Sequence, residues 1–141
     1  MKSLYEEDVR VLATRLQAVV DAAPPVPLLS SQVILDRKSM NDIVDGVRAS
    51  LPEAIKKARW FRQKREEDGD PPLRGGEISP RDVLNDIDAL DDLIHKAPAV
   101  PLTSSVRVKR ARITPIVDRL TEALRPLGQE LADYKDIYPS G

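Results

Sequence analysis

Apolar residues recur at steps of three and four over Val9, Leu12, Leu16 and Val19/Val20, and again over Val83, Ile87, Leu90 and Ile94. That spacing puts each set on one face of an amphipathic helix. Both helices carry start signals: Ser3 with Glu6 makes a capping-box pattern, and Ser79-Pro80 offers a hydroxyl N-cap followed by proline at N1. Pro24-Pro25 and Pro98 end them, because proline has no amide donor and disfavours helix in the residue before it. Short β-branched runs follow, Gln32-Val33-Ile34-Leu35 and Val106-Arg107-Val108-Lys109, each predicting one brief strand. A second helix is then predicted from about Ser39, with Met40, Ile43, Val47, Leu51 and Ile55 on one face, and from the cap pair Thr114-Pro115. In the latter, Ile116, Leu120, Leu124, Leu127, Leu131, Tyr134 and Tyr138 form a bundle seam. Pro52 and Pro126 fall inside these stretches at matching places, predicting two helices or one kinked helix in each.

The chain therefore says nearly the same thing twice, with a period of about 74 residues. Val26, Pro27, Leu28, Ser30 and Ser31 return as Val100, Pro101, Leu102, Ser104 and Ser105, and Asp8, Val9 and Leu16 return as Asp82, Val83 and Leu90. Downstream one residue is lost, so that Ile43, Val44, Asp45 and Leu51 match Ile116, Val117, Asp118 and Leu124. Repeat one spans 4–65, a Gly-, Pro- and charge-rich linker 66–78, and repeat two 79–138. A unit of this size is marginal alone. The expectation is a mostly α, pseudo-two-fold single domain, in which the two short strands pair antiparallel as a small ribbon within a helical bundle. It should be a monomer that behaves as a pseudo-dimer, the alternative being a homodimer whose repeats pair between molecules.

Composition narrows the chemistry. The chain has 141 residues, with 22 Lys and Arg against 23 Asp and Glu, a formal net charge of −1, so attraction to nucleic acid must be local. Cysteine is absent, which removes disulfides and thiol chemistry and suits a reducing cytoplasm. A single histidine, His95, excludes a His-rich metal centre, and no apolar run approaches a membrane span. No catalytic residue, metal site or cofactor is predicted. Ser30, Ser31, Ser104 and Ser105 lack a nucleophile-elbow context and are expected to bond the turn backbone. Gly75-Gly76 lacks the lysine of a phosphate loop, and Asp42, Asp45, Asp118 and Glu122 lack metal-ligand spacing. His95 is expected to serve the C-terminus of its helix.

Three features invite binding. The Val-Pro-Leu words form rigid apolar turns, whose Val and Leu are expected to plug the core. The C-terminal seam ends in Leu131, Tyr134, Ile137 and Tyr138, a candidate protein-docking surface, with internal packing as its alternative. Arg107, Lys109, Arg110 and Arg112 form a basic strand without counterpart in repeat one. Lys56, Arg59 and Arg62 belong to a second basic cluster around Trp60. Together these define the alternative of a small nucleic-acid-associated protein. The acidic run Asp82, Asp86, Asp88, Asp91 and Asp92 is available to neutralise the basic strand.

The order amphipathic helix, AP-x-VPL-S/T-S, strand, I-V-D-x-(L/V) helix and L-P-E-x-I-x-x-A-R resembles the head of the actinobacterial SepIVA-type, DivIVA-like septation proteins. In them a single copy, close to VPM…V-x-P…ELIDDI…A-I-P, precedes a long charged coiled coil. The resemblance covers Asp8–Arg65 and Asp82–Tyr134, and here no long coiled coil follows either copy. It implies a non-enzymatic cytoplasmic scaffold or adaptor with another protein as partner, linked to septation or envelope growth.

Overall fold

The computed structural model describes residues 9–73 and 79–138, apart from the side chains of Leu29 and Ser30. The Ser3/Glu6 capping pair and Gly75-Gly76 lie outside these residues. The elements run α1 (Val9–Asp21), β1 (Pro25–Val26), β2 (Leu29–Asp36), α2 (Arg37–Glu67), α3 (Pro80–Lys96), β3 (Ser105–Lys109) and α4 (Arg110–Ile137). Four helices enclose a small antiparallel sheet of order β1-β2-β3. Ser79 caps α3 as expected, its hydroxyl accepting the Asp82 amide at 3.3 Å.

The ribbon defines the symmetry. Val33 pairs with Val108 and Leu35 with Val106, while Ile34 faces Arg107. Val33, Leu35, Val106 and Val108 are all buried, so they share the face turned to the core. A two-fold axis normal to the sheet must exchange residues of one face, which makes Ile34 and Arg107 each other's counterparts. The single missing residue therefore corresponds to a position between Ser31 and Val33, inside β2 and opposite the irregularity of pairing at Pro25 and Val26. From the strand onward the halves match with Asp36 on Lys109, Arg37 on Arg110 and Ser39 on Arg112.

Both long helices leave the ribbon directly, α2 about two residues and α4 five residues earlier than their sequence signals. The reason is burial: Met40 and its counterpart Ile113 are fully enclosed, and a helix starting at the strand end carries both inward on its first turn. Pro115 consequently sits in the second turn of α4 rather than at N1. α2 and α4 each continue as one helix through Pro52 and Pro126, which stand one position out of register once the halves are matched. At the start of α2 the Asp36 carboxylate accepts the Ser39 amide at 3.0 Å and its hydroxyl at 2.8 Å. At the start of α4 the corresponding residue is Lys109, and no side chain caps the helix.

α1 packs mainly against α4 and α3 against α2, so each half lends its first helix to the other's long helix. One core results, running from Val9, Leu12 and Leu16 through Ile87, Leu90 and Ile94 to Leu120, Leu124 and Tyr134. Within each half, α1 and α3 approach their own long helix in contrasting ways. A Cβ at Gly46 would lie 2.9 Å from Leu12 Cδ2, so repeat one closes by omitting a side chain. Repeat two places Arg119 at the corresponding position, bonded to Asp86 at 3.1 Å.

Candidate functional site

Proline fixes φ at Pro27 and Pro101, and each turn then passes through a leucine with positive φ, 66° at Leu28 and 64° at Leu102. The Thr103 amide donates to the Val100 carbonyl at 3.2 Å, closing the second turn around Pro101 and Leu102. Proline followed by a positive φ is the pattern of a type II turn, whose third position favours glycine. For a leucine the left-handed region costs about 1–2 kcal/mol. Both leucines are fully exposed, with relative accessibilities of 104% and 106%. The expectation that they plug the core is thus corrected: Val26 and Val100 are half-buried, while the leucines turn outward. Leu28 borders the end of the ribbon where Gln32 pairs with Lys109, and Leu102 the end where Asp36 pairs with Ser105. At the rise of an extended strand the two tips stand roughly 25 Å apart.

Ser104 departs from the expected bond to the turn backbone, and the side chain of Ser30 lies outside the described residues. Ser104 donates its hydroxyl to Asp36 Oδ1 at 2.7 Å, and it is Thr103 that bonds the turn backbone, donating to the Val100 carbonyl at 2.8 Å and accepting the Ser105 amide at 3.1 Å. Hydrogen bonds from Ser104 and Ser39 hold the Asp36 carboxyl below the usual carboxylate range. Asp36 therefore ties the Leu102 turn of repeat two to the first turn of α2.

The C-terminal seam is core. Tyr134 is fully buried and Leu131 is 9% exposed, because the apolar stripe of α4 packs on α1 and α2 in the same molecule. Neither side chain is accessible to a partner. Tyr138 is half-buried and stacks on Phe61 at 5.9 Å, donating its hydroxyl to Asp68 at 3.2 Å. Ile137 alone of the four is exposed. Burial pushes the Tyr134 hydroxyl above its ordinary pKa, and that hydroxyl accepts the Leu73 amide at 3.4 Å.

The two basic clusters are not brought together. Arg62 is bound bidentately to Glu130, Nε to Oε2 at 2.8 Å and Nη2 to Oε1 at 2.7 Å, near the end of α4. Arg112 lies eighteen residues earlier on the same helix, about 27 Å away along its axis. Lys56, Arg59 and Trp60 are exposed on α2, at the far end of the bundle from Arg107, Lys109 and Arg110. A combined nucleic-acid surface is therefore not assembled, and Arg62 is committed to an internal ion pair.

The acidic helix does not neutralise the basic strand either. Asp88 and Asp91 bind Arg48 at 2.7 and 3.3 Å, Asp86 binds Arg119 at 3.1 Å, and Asp92 binds Lys96 at 3.1 Å. His95 Nδ1 lies 3.0 Å from the Asp91 carbonyl and 3.1 Å from its carboxylate, in the last turn of α3. The side chains of Arg107, Lys109, Arg110 and Arg112 form no ion pair among the described residues. A cleft of about 240 Å³ opens beside them, lined by Lys96, Arg107, Lys109 and Arg112. Sequence reasoning found the four basic positions but not Lys96, which the fold brings in from the end of α3.

Among the described residues no helix is long and apolar enough to cross a membrane. No protein-family model, no curated protein and no solved structure matches this chain.

Proposed function

We propose that this protein is a non-enzymatic adaptor that engages another protein through the two leucine tips of its ribbon. The observation that carries this reading is the pair Leu28 and Leu102, held in a costly backbone conformation and left wholly in solvent at equivalent places in both halves. Packing does not explain them, because neither side chain touches the core. Strain of this kind concentrates at positions that bind. An apolar residue displayed on a rigid turn fits a partner with a small apolar pocket, and two such turns at fixed separation fit a partner that offers two pockets. Simultaneous engagement raises affinity well beyond that of either tip. The resemblance to the head of the SepIVA-type septation proteins favours a cytoplasmic role in septation or envelope growth.

The test compares wild type with Leu28→Asp, Leu102→Asp and the double variant, each used as bait for quantitative affinity capture from the host. A protein retained by wild type, weakened by either single change and lost from the double variant is the expected result. Identical captured sets from wild type and the double variant would refute the reading.

A further inference from the structure

At the cleft between the end of α3 and β3 the two halves differ in charge. Repeat one carries Ile34, Asp36 and Ser39, and repeat two carries Arg107, Lys109 and Arg112 at the corresponding positions. In repeat one these positions do structural work, since Asp36 caps α2 through the Ser39 amide. In repeat two that cap is gone and both of its positions are cations, at the end of a helix where positive charge is disfavoured. Among the described residues none of the three side chains forms an ion pair with a carboxylate, so the exchange is not explained by a local salt bridge. Lys96 joins them across the cleft while paired with Asp92, which lines the adjoining groove beside Arg112.

From this arrangement we infer that the cleft is a binding site for a small phosphate-bearing ligand. Arg107 and Arg112 supply planar guanidinium groups suited to paired hydrogen bonds with phosphate oxygens, and Lys96 and Lys109 supply point charges. Leu93 and Pro98 contribute an apolar lining. The volume of about 240 Å³ is below the ~300–1,000 Å³ of sites for drug-sized molecules, which suits a phosphate group with a few attached carbons. Among the described residues no aromatic side chain lines the cleft, so these offer no stacking platform for a nucleic-acid base. A bound phosphate would also supply the anion that the uncapped start of α4 lacks. This site is independent of the leucine tips.

The decisive variant makes repeat two resemble repeat one: Lys109→Asp with Arg112→Ser restores the cap chemistry seen at α2 while removing two of the cations. Inorganic pyrophosphate is the probe, followed by amide chemical shifts and by thermal unfolding. Wild type should show saturable shifts confined to residues around 96–98 and 107–113, and a midpoint that rises with pyrophosphate. The double variant should unfold at a higher temperature without the probe, and bind it at least ~tenfold more weakly. Absence of saturation in wild type at ~10 mM, or equal binding by the variant, overturns the site. Vesicle co-sedimentation distinguishes the source of the phosphate. Binding to a phosphomonoester lipid, but not to a diester lipid at equal surface charge, supports a headgroup in this cleft. No vesicle binding alongside saturable pyrophosphate binding supports a soluble ligand. Equal sedimentation with both lipids, unaffected by the double variant, would mean diffuse charge attraction and would count against the site.

Discussion

Phe61 and Tyr134 occupy the same position in the two halves and stack on each other, their ring centroids 5.1 Å apart and the planes inclined by 15°. The pseudo-two-fold axis thus passes between these rings as it passes between Ile34 and Arg107 in the ribbon. α2 and α4 leave the ribbon from its opposite ends and meet at this aromatic pair. Both rings are buried, and Phe61→Ala should cost about 3–5 kcal/mol in urea unfolding. A double-mutant cycle with Tyr134→Ala should return a coupling of about 0.5–1.5 kcal/mol. Additive single costs would show that the stacked geometry contributes nothing beyond burial.

Next to that pair, the ion pair of Arg62 with Glu130 disfavours the pairing of repeat one with itself. Their counterparts across the axis are Lys135 and Lys57, so joining repeat one to repeat one would set Arg62 against Lys57, and joining two copies of repeat two would set Glu130 against Lys135. Pairing repeat one with itself therefore opposes two cations, whereas Glu130 meets a cation in either of the other pairings. Glu130 is 2% exposed, so Glu130→Gln should destabilise by about 3–5 kcal/mol by leaving Arg62 without its anion. The charge exchange Arg62→Glu with Glu130→Arg should recover part of that loss. Light scattering should give the mass of one chain, 15.7 kDa, for the wild type. A stable dimer would mean that the unlike repeats pair between molecules.

Glycine at either leucine tip should leave the fold intact. Relief of the left-handed conformation returns about 1–2 kcal/mol, against roughly 0.5–1 kcal/mol for the greater freedom of glycine in the unfolded chain. Thermal unfolding of Leu28→Gly and Leu102→Gly should therefore show midpoints equal to or above wild type. A drop of several degrees would assign these leucines a packing role.

Acid should weaken the link between Asp36 and the Leu102 turn. Its folded pKa is depressed below an unfolded value of about 3.9, so its contribution is complete above that value and is lost as pH falls through the folded pKa. The stability gap between wild type and Asp36→Asn should be constant near neutrality and close below about pH 4. A gap unchanged at pH 3 would show that the carboxylate charge plays no part.

The halves should fail to fold apart, because α1 rests on α4 and α3 on α2. A fragment ending at Asp70 should show little cooperative unfolding by circular dichroism. Mixing it with a fragment from Ser79 should restore helical signal. A cooperative transition in either fragment alone would contradict the shared core.

Much of this architecture was legible in the pattern of apolar positions. The helical steps of Val9, Leu12 and Leu16 and of Val83, Ile87 and Leu90 depend only on local geometry, and all six residues are buried as their spacing demands. Repetition of a unit too small to bury its own core implied mutual burial. The starts of α2 and α4 were less legible, since Thr114-Pro115 is a sound local cap overruled by the burial of Ile113. The outward leucines were hidden because an apolar word beside proline reads as packing until the sign of φ is known. Leu131 and Tyr134 read equally as seam or surface, a choice that depends on whether α2 covers them. The basic positions Arg107, Lys109, Arg110 and Arg112 were visible, but that they form no ion pair among the described residues was not, since it depends on Arg48 and Arg119 engaging the acidic helix.

Joining the two halves in one chain has a consequence for how such a molecule can change. In an assembly of identical subunits, any substitution appears at both ends at once, so Lys109 and Arg112 could not arise without stripping the Asp36 and Ser39 bonds from the other helix as well. Covalent fusion removes that constraint. One half can keep its anchoring chemistry while the other is free to acquire charge, and a symmetric frame comes to have one end unlike the other.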